Sequence, residues 1–174
     1  MLLAAIQVCV VRTLLLVLTF GGQAACHHEN KTTMKNDDPT KSVSHDDKLL
    51  SAQLELPGAP LEVSFEQLPR GTPGGLGPTD YVLVALIRFD KDVLARLAAT
   101  AQARPGNPPR ISSLANRPWF PSAVKAAIER YDEGSVTVRG RKFDASTLLK
   151  SPYTTGYFVI VEGTNYVILS AQTS

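Results

Sequence analysis

Tyr81 to Phe89 reads YVLVALIRF, apolar throughout except at Arg88. A run without alternation, rich in β-branched and aromatic residues, predicts a central strand buried on both faces. Asp90 follows it and can cap the amides of a helix over Lys91–Ala103, with Asp92 favourable in the first turn for the helix dipole. Leu94, Leu97, Ala98 and Ala101 recur at i, i+3, i+4 and i+7, giving that helix one apolar stripe. Arg88 needs an acidic partner or a wet sheet end, and its place at the close of the strand favours the wet end.

Upstream, Leu61–Glu66 alternates Leu61, Val63 and Phe65 with Glu62, Ser64 and Glu66, the pattern of an edge strand with one wet face. Leu68–Asp80 (LPRGTPGGLGPTD) reads as loop from its glycines and prolines. A phosphate cradle there is disfavoured, because no Lys-Ser/Thr follows and the next element is a strand, not a helix N-terminus.

Downstream, Pro121–Asp132 repeats the helical spacing with Val124, Ala127, Ile128 and Tyr131 and stops at Gly134, predicting a second helix. Ser135–Arg139 turns Val136 and Val138 inward, and the chain then turns at Gly140. Asp144–Lys150 reads as a short helical turn. Tyr157–Glu162 and Tyr166–Ala171 form a hairpin through Gly163, Thr164 and Asn165. The expected fold is α+β: one mixed or antiparallel sheet of about four to five strands with two helices packed on one face. Because the central strand and the hairpin are apolar on both sides, a second layer or a partner subunit must dry the other face.

The N-terminal part reads as an address. Met1–Ala25 is apolar but interrupted by Arg12, and its unbroken part Leu14–Phe20 is far short of the roughly 20 residues that span a bilayer. A charge, a short apolar core and small residues is the order of an export signal, and initiation near Val11 would place Arg12 in its basic region. Gln23-Ala24-Ala25-Cys26 resembles the lipobox of bacterial lipoproteins, departing from it at Gln23, where an aliphatic residue is usual. The resemblance implies lipidation of Cys26 as the first mature residue and, with His27 next in place of aspartate, sorting to the outer membrane. The competing reading is cleavage after Ala24 with secretion of a soluble chain.

His27–Lys48 is polar, of mixed charge and without period, the composition of a flexible linker. Such a chain of about 22 residues spans on the order of 25 Å. Residues 26–50 are thus assigned to a tether and 51–174 to a single domain. His27, His28 and His45 with Asp46 and Asp47 are a loose histidine-acid group, but a flexible tract does not pre-position metal ligands.

The chain carries 18 basic and 16 acidic residues, too even a balance to imply a nucleic-acid partner. From Leu49 onward it holds neither histidine nor cysteine. That excludes imidazole-activated nucleophiles and histidine- or thiolate-held zinc in the domain, leaving carboxylate chemistry, a lysine-activated nucleophile or oxygen-held metal. Asp132 and Glu133 adjoin, yet sequence neighbours at a helix end point apart, whereas glycosidic chemistry needs two carboxylates facing one cleft. No cofactor, metal or catalytic residue is therefore expected.

The candidate binding segment is Arg104–Pro121 (RPGNPPRISSLANRPWFP), long for a connection in a compact domain and stiffened by prolines. It holds the only tryptophan, Trp119, beside Phe120, with Arg117 and Arg110 nearby, a combination typical of interface anchors. The ordinary alternative is that Trp119 and Phe120 fold inward as a lid on the core. Arg139, Arg141 and Lys142 form a basic turn that can meet anionic headgroups or glycan phosphates but is commonly just solvated. These readings favour an envelope-associated, lipid-anchored binding protein, its contacts being the membrane through Cys26 and a protein partner or second copy. An inhibitor or immunity-type lipoprotein, a structural component of an envelope assembly and a carboxylate-based hydrolase are the alternatives.

Overall fold

The computed structural model describes residues 43–70, 80–105, 109–132 and 134–173. The export signal, Cys26, most of the linker, the glycine-rich stretch 71–79 and Glu133 lie outside the described residues. Among the described residues no helix is long and apolar enough to cross a membrane.

Among the described residues eight strands form two antiparallel sheets. The larger contains β1 (Glu62–Arg70), β2 (Asp80–Arg88), β6 (Gly140–Asp144), β7 (Tyr153–Val161) and β8 (Tyr166–Thr173), in the order β1-β2-β8-β7-β6. The smaller contains β3 (Arg110–Ser112), β4 (Ile128–Asp132) and β5 (Ser135–Val138), in the order β3-β5-β4. Helices are α1 (Asp47–Gln53), α2 (Lys91–Thr100) and the single turn α3 (Ser122–Lys125).

The stretch 81–89 is buried on both faces, and the two faces separate by parity. Leu83, Ala85 and Ile87 of β2 join Leu50 and Leu54 of the α1 segment and Val93, Leu94 and Leu97 of α2 in one cluster. Val82, Val84 and Leu86 join Ile111, Phe120, Val124, Ala127, Val136 and Val138 in a second cluster, shared with the smaller sheet. The α1 and α2 segments thus share one apolar cluster with β2, and the smaller sheet with α3 shares the other, so the chain itself supplies the layer that the apolar pattern called for. Helix α2 starts as expected, with the Asp90 carboxylate accepting the Val93 amide at 2.8 Å. Arg88 has both features its position required: Nε donates to Glu62 at 3.0 Å, and the pair is about 40% exposed at the sheet end.

Four expectations are corrected. There are two sheets, not one. The predicted second helix ends after Lys125, and Ile128–Asp132 is instead β4, paired with β5 across a turn at Gly134. Ile128 suits a strand as well as a helix, and hairpin pairing with Ser135–Val138 decides the matter. Gly140 does not reverse the chain. β5 belongs to one sheet and β6 to the other with only Arg139 between them, so Arg139–Gly140 is a corner where one run of chain changes layers. Last, residues 43–50, assigned to the linker, are folded here: Ser44 exchanges two backbone hydrogen bonds with Phe65, and Asp46 caps α1 through the amides of Lys48 and Leu49.

The outer edges of the large sheet are both occupied in part. Ser44 lies against β1, and Gln102–Arg104 lies against β6 through Arg104 N–H to Lys142 O and Asp144 N–H to Gln102 O, each 2.8 Å. Pro69 shares the parity of Phe65, so its missing N–H falls on the open side of β1, where a proline blocks pairing with another strand.

Candidate functional site

The segment 104–121 is held down along its length. Phe120 is 2% exposed within the second core cluster, and Trp119 packs edge-on against it at 4.8 Å between centroids. The Trp119 indole N–H donates to Glu66 Oε1 at 3.0 Å, and Arg117 Nε donates to that same oxygen. Glu66 is buried on β1, so its carboxylate needs such donors. Phe120 is thus core, while Trp119 and Arg117 lie half-buried over it, tied down through Glu66. Arg110 stands apart from them, exposed on β3.

The basic residues converge elsewhere. Lys142 Nζ reaches the Arg110 carbonyl at 2.7 Å and sits 4.0 Å from the Tyr157 ring centroid. Arg104 pairs with Asp144 and also donates to the Gly156 carbonyl at 3.1 Å. Arg141 stacks its guanidinium over Phe143 at 5.4 Å, while Arg139 Nη2 donates to the Ala126 carbonyl at 2.6 Å. The β6 flank thus gathers Arg104, Arg110, Arg139, Arg141 and Lys142 against the carboxylates of Asp144 and Glu162. Sequence reading found the turn triplet but not that Arg104 and Arg110 join it. Arg104 is brought there by a long-range backbone pairing, Ala103 opposite Phe143, and Arg110 by its carbonyl, which accepts the Lys142 ammonium.

This crowding registers in the titrating groups. Burial and then the neighbouring Arg104 charge hold the Lys142 ammonium below its usual range. The Arg104 hydrogen bond, helped by the Ser146 amide, brings the Asp144 carboxyl down to about 2. Burial raises the Tyr157 phenol, against the opposing effect of the Ser112 N–H that it accepts at 3.1 Å.

At the corner itself Arg139, Gly140, Arg141, Ile160, Glu162 and Thr164 line an open cleft of about 450 Å³. A second hollow of about 410 Å³ lies by Asn116, Arg117, Pro118, Lys125 and Ile128. Among the described residues no group of three or more histidine, cysteine, aspartate or glutamate side chains is placed to hold a metal. His45 turns its ring nitrogen to the Val63 carbonyl and the Ser64 hydroxyl, at 3.1 and 3.0 Å. Asp132 accepts the Ser135 hydroxyl at the β4–β5 turn. Comparison with protein-family models, with curated proteins and with solved structures finds no match for this chain.

Proposed function

We propose that the chain is an exported, lipid-anchored domain of the cell envelope that works by binding. Its address rests on the apolar leader, Cys26 at the end of that leader and the polar tract that follows. The observation that carries the binding reading is the β6 flank. A closed two-sheet body sets five cations and a cleft along one side, with no histidine or cysteine from Leu49 onward to activate a nucleophile. An assembly whose subunits meet through an apolar sheet face loses its motive, since the chain's own second sheet covers that face.

An inhibitor or immunity-type lipoprotein is the more specific form of this reading, and the cationic flank suits an acidic surface on the target. Two measurements test the proposal. Metabolic labelling with a fatty acid should mark the wild type and not Cys26→Ser. Capture from envelope extracts should retain a partner in the wild type and lose it when Arg104, Arg110 and Arg141 are changed to glutamine. A soluble, unlabelled chain inside the cell overturns the address, and steady turnover of a substrate by the purified protein overturns binding as its work.

A further inference from the structure

The corner at Arg139–Gly140 brings together four features that bear on a ligand. First, Arg139 and Arg141 line one cleft from the two sides of Gly140, and neither pairs with a carboxylate among the described residues. Second, both guanidinium groups are oriented without such a partner: Arg141 lies over the Phe143 ring, and Arg139 is tied by one nitrogen to the Ala126 carbonyl, leaving the rest of its fork. Third, Lys142 stands on the opposite face of β6 from Arg141, and Arg104 and Arg110 lie near it along the same edge of the sheet. The flank has five cations to two carboxylates, a larger excess than the net +2 of the whole chain. Fourth, Glu162 and Thr164 also line this cleft, so a carboxylate shares it with the two guanidinium groups.

We propose that this cleft binds a phosphate-type oxyanion that carries a hydroxyl or ammonium group close by, with Arg139 and Arg141 on the oxyanion and Glu162 on the neighbouring donor. Planar guanidinium forks match the oxygens of a phosphate two at a time, and they remain charged at every physiological pH. A volume of about 450 Å³ exceeds a bare phosphate and lies in the range of small-molecule sites. Glu162 repels a naked polyanion but favours a zwitterionic or hydroxylated carrier. Phosphoethanolamine and phosphoglycerol groups have this chemistry, whether as lipid headgroups or as free or glycan-borne esters. The inference deepens the binding reading above and does not require the anchor.

The test uses the full chain in nonionic detergent, titrated calorimetrically with phosphoethanolamine and with pyrophosphate. Wild type should bind both, more weakly as salt rises. Arg141→Gln, whose side chain makes no hydrogen bond among the described residues, should weaken both about tenfold. Glu162→Gln should weaken phosphoethanolamine and strengthen pyrophosphate, a crossing of effects that general charge attraction does not give. Arg139→Gln also loses its bond to Ala126, so Arg141→Glu is the second variant of choice. Absence of binding to both probes at millimolar concentration overturns the site, as does affinity unchanged in Arg141→Gln and Arg141→Glu.

Flotation with phosphatidylglycerol vesicles against phosphatidylcholine vesicles separates the two sources. An Arg141-dependent excess on the anionic vesicles assigns the ligand to a headgroup, and equal flotation with retained phosphoethanolamine binding assigns it to a free or glycan ester. Cys26→Ala keeps the two failures apart. Lost fatty-acid labelling with unchanged titration touches only the anchor, whereas a titration insensitive to Arg141 with labelling intact touches only the cleft.

Discussion

Glu66 and Trp119 lie 53 residues apart, yet one carboxylate oxygen of Glu66 accepts the Trp119 indole N–H at 3.0 Å and the Arg117 guanidinium as well. Glu66 is the charged side chain with which β1 fastens the 104–121 segment over the second core cluster. The two charges are unequally placed, with Glu66 side-chain exposure at 1% and Arg117 at 19%. Losing either one therefore has unequal effects. Arg117→Leu should destabilise by about 3 kcal/mol, because it removes a charged donor from a desolvated carboxylate. Glu66→Leu should cost less, because the freed arginine can turn toward water, and the double variant should recover part of the Arg117→Leu loss. Urea midpoints across the four proteins measure this. Equal losses from both single changes would contradict it.

Phe120 should behave as core, and Trp119 as a half-buried ring tied down over it. Phe120→Ala is expected to destabilise by about 3 to 5 kcal/mol. As the only tryptophan, Trp119 should fluoresce at short wavelength in the native state and shift red in step with loss of the second sheet. A native spectrum already typical of water-exposed indole would refute the lid.

Asp144 sets an acid limit. Its folded value of about 2 lies below the ordinary 3.8, so its contribution is present above that ordinary value and is lost as pH falls through about 2. Thermal midpoints recorded from pH 5 downward should fall less steeply for Asp144→Asn than for wild type. Arg104→Gln should move the Asp144 carboxyl resonance back toward an ordinary titration, which carbon-detected NMR reads directly.

Tyr157 sets an alkaline counterpart. Its folded value is raised, so the stabilisation it supplies is complete below the unfolded value of about 10 and disappears as pH climbs through the folded one. Burial raises the Tyr153 and Tyr166 phenols too, so absorbance at 295 nm should show a late phenolate component that Tyr157→Phe reduces and does not abolish. The same substitution should cost about 1 kcal/mol at neutral pH, since the Ser112 amide loses its acceptor.

Gly140 permits the change of layers. A Cβ at that position would stand 2.2 Å from the Ile160 carbonyl oxygen, a backbone atom that cannot swing aside. At Gly163, φ is +71° but the space is open. Gly140→Ala should therefore cost well over 2 kcal/mol, against about 1 kcal/mol for Gly163→Ala, as judged by denaturation midpoints.

The sequence showed β2, α2 and the β7–β8 hairpin clearly, because their patterns are decided by near neighbours: an unbroken apolar run, an Asp90 cap, a glycine turn. The second sheet was not legible. Ile111 sits in a three-residue strand with too little length for a period, and Ile128–Asp132 fits helical spacing until β5 is seen to pair with it. Trp119 and Arg117 looked like anchors because nothing local discloses that Glu66, fifty residues earlier, faces them from β1. The corner escaped for a related reason. Gly140 marks a departure from regular strand in any reading, and only the sheet pairings of Val138 and Arg141 reveal that the chain passes between layers there.

β8 lies at the centre of the five-stranded sheet, between β2 and β7, although it is the last strand in sequence order. A chain made from its N-terminus therefore has β1 and β2 waiting, with one edge of β2 unpaired, until Thr173 has cleared the ribosome. Closure joins Val82 to Gln172, a loop of some ninety residues that must be drawn in before either apolar layer is sealed. Until β8 is made and drawn in, the larger sheet lacks its middle strand, and the apolar faces of β2 and β7 have no partner between them.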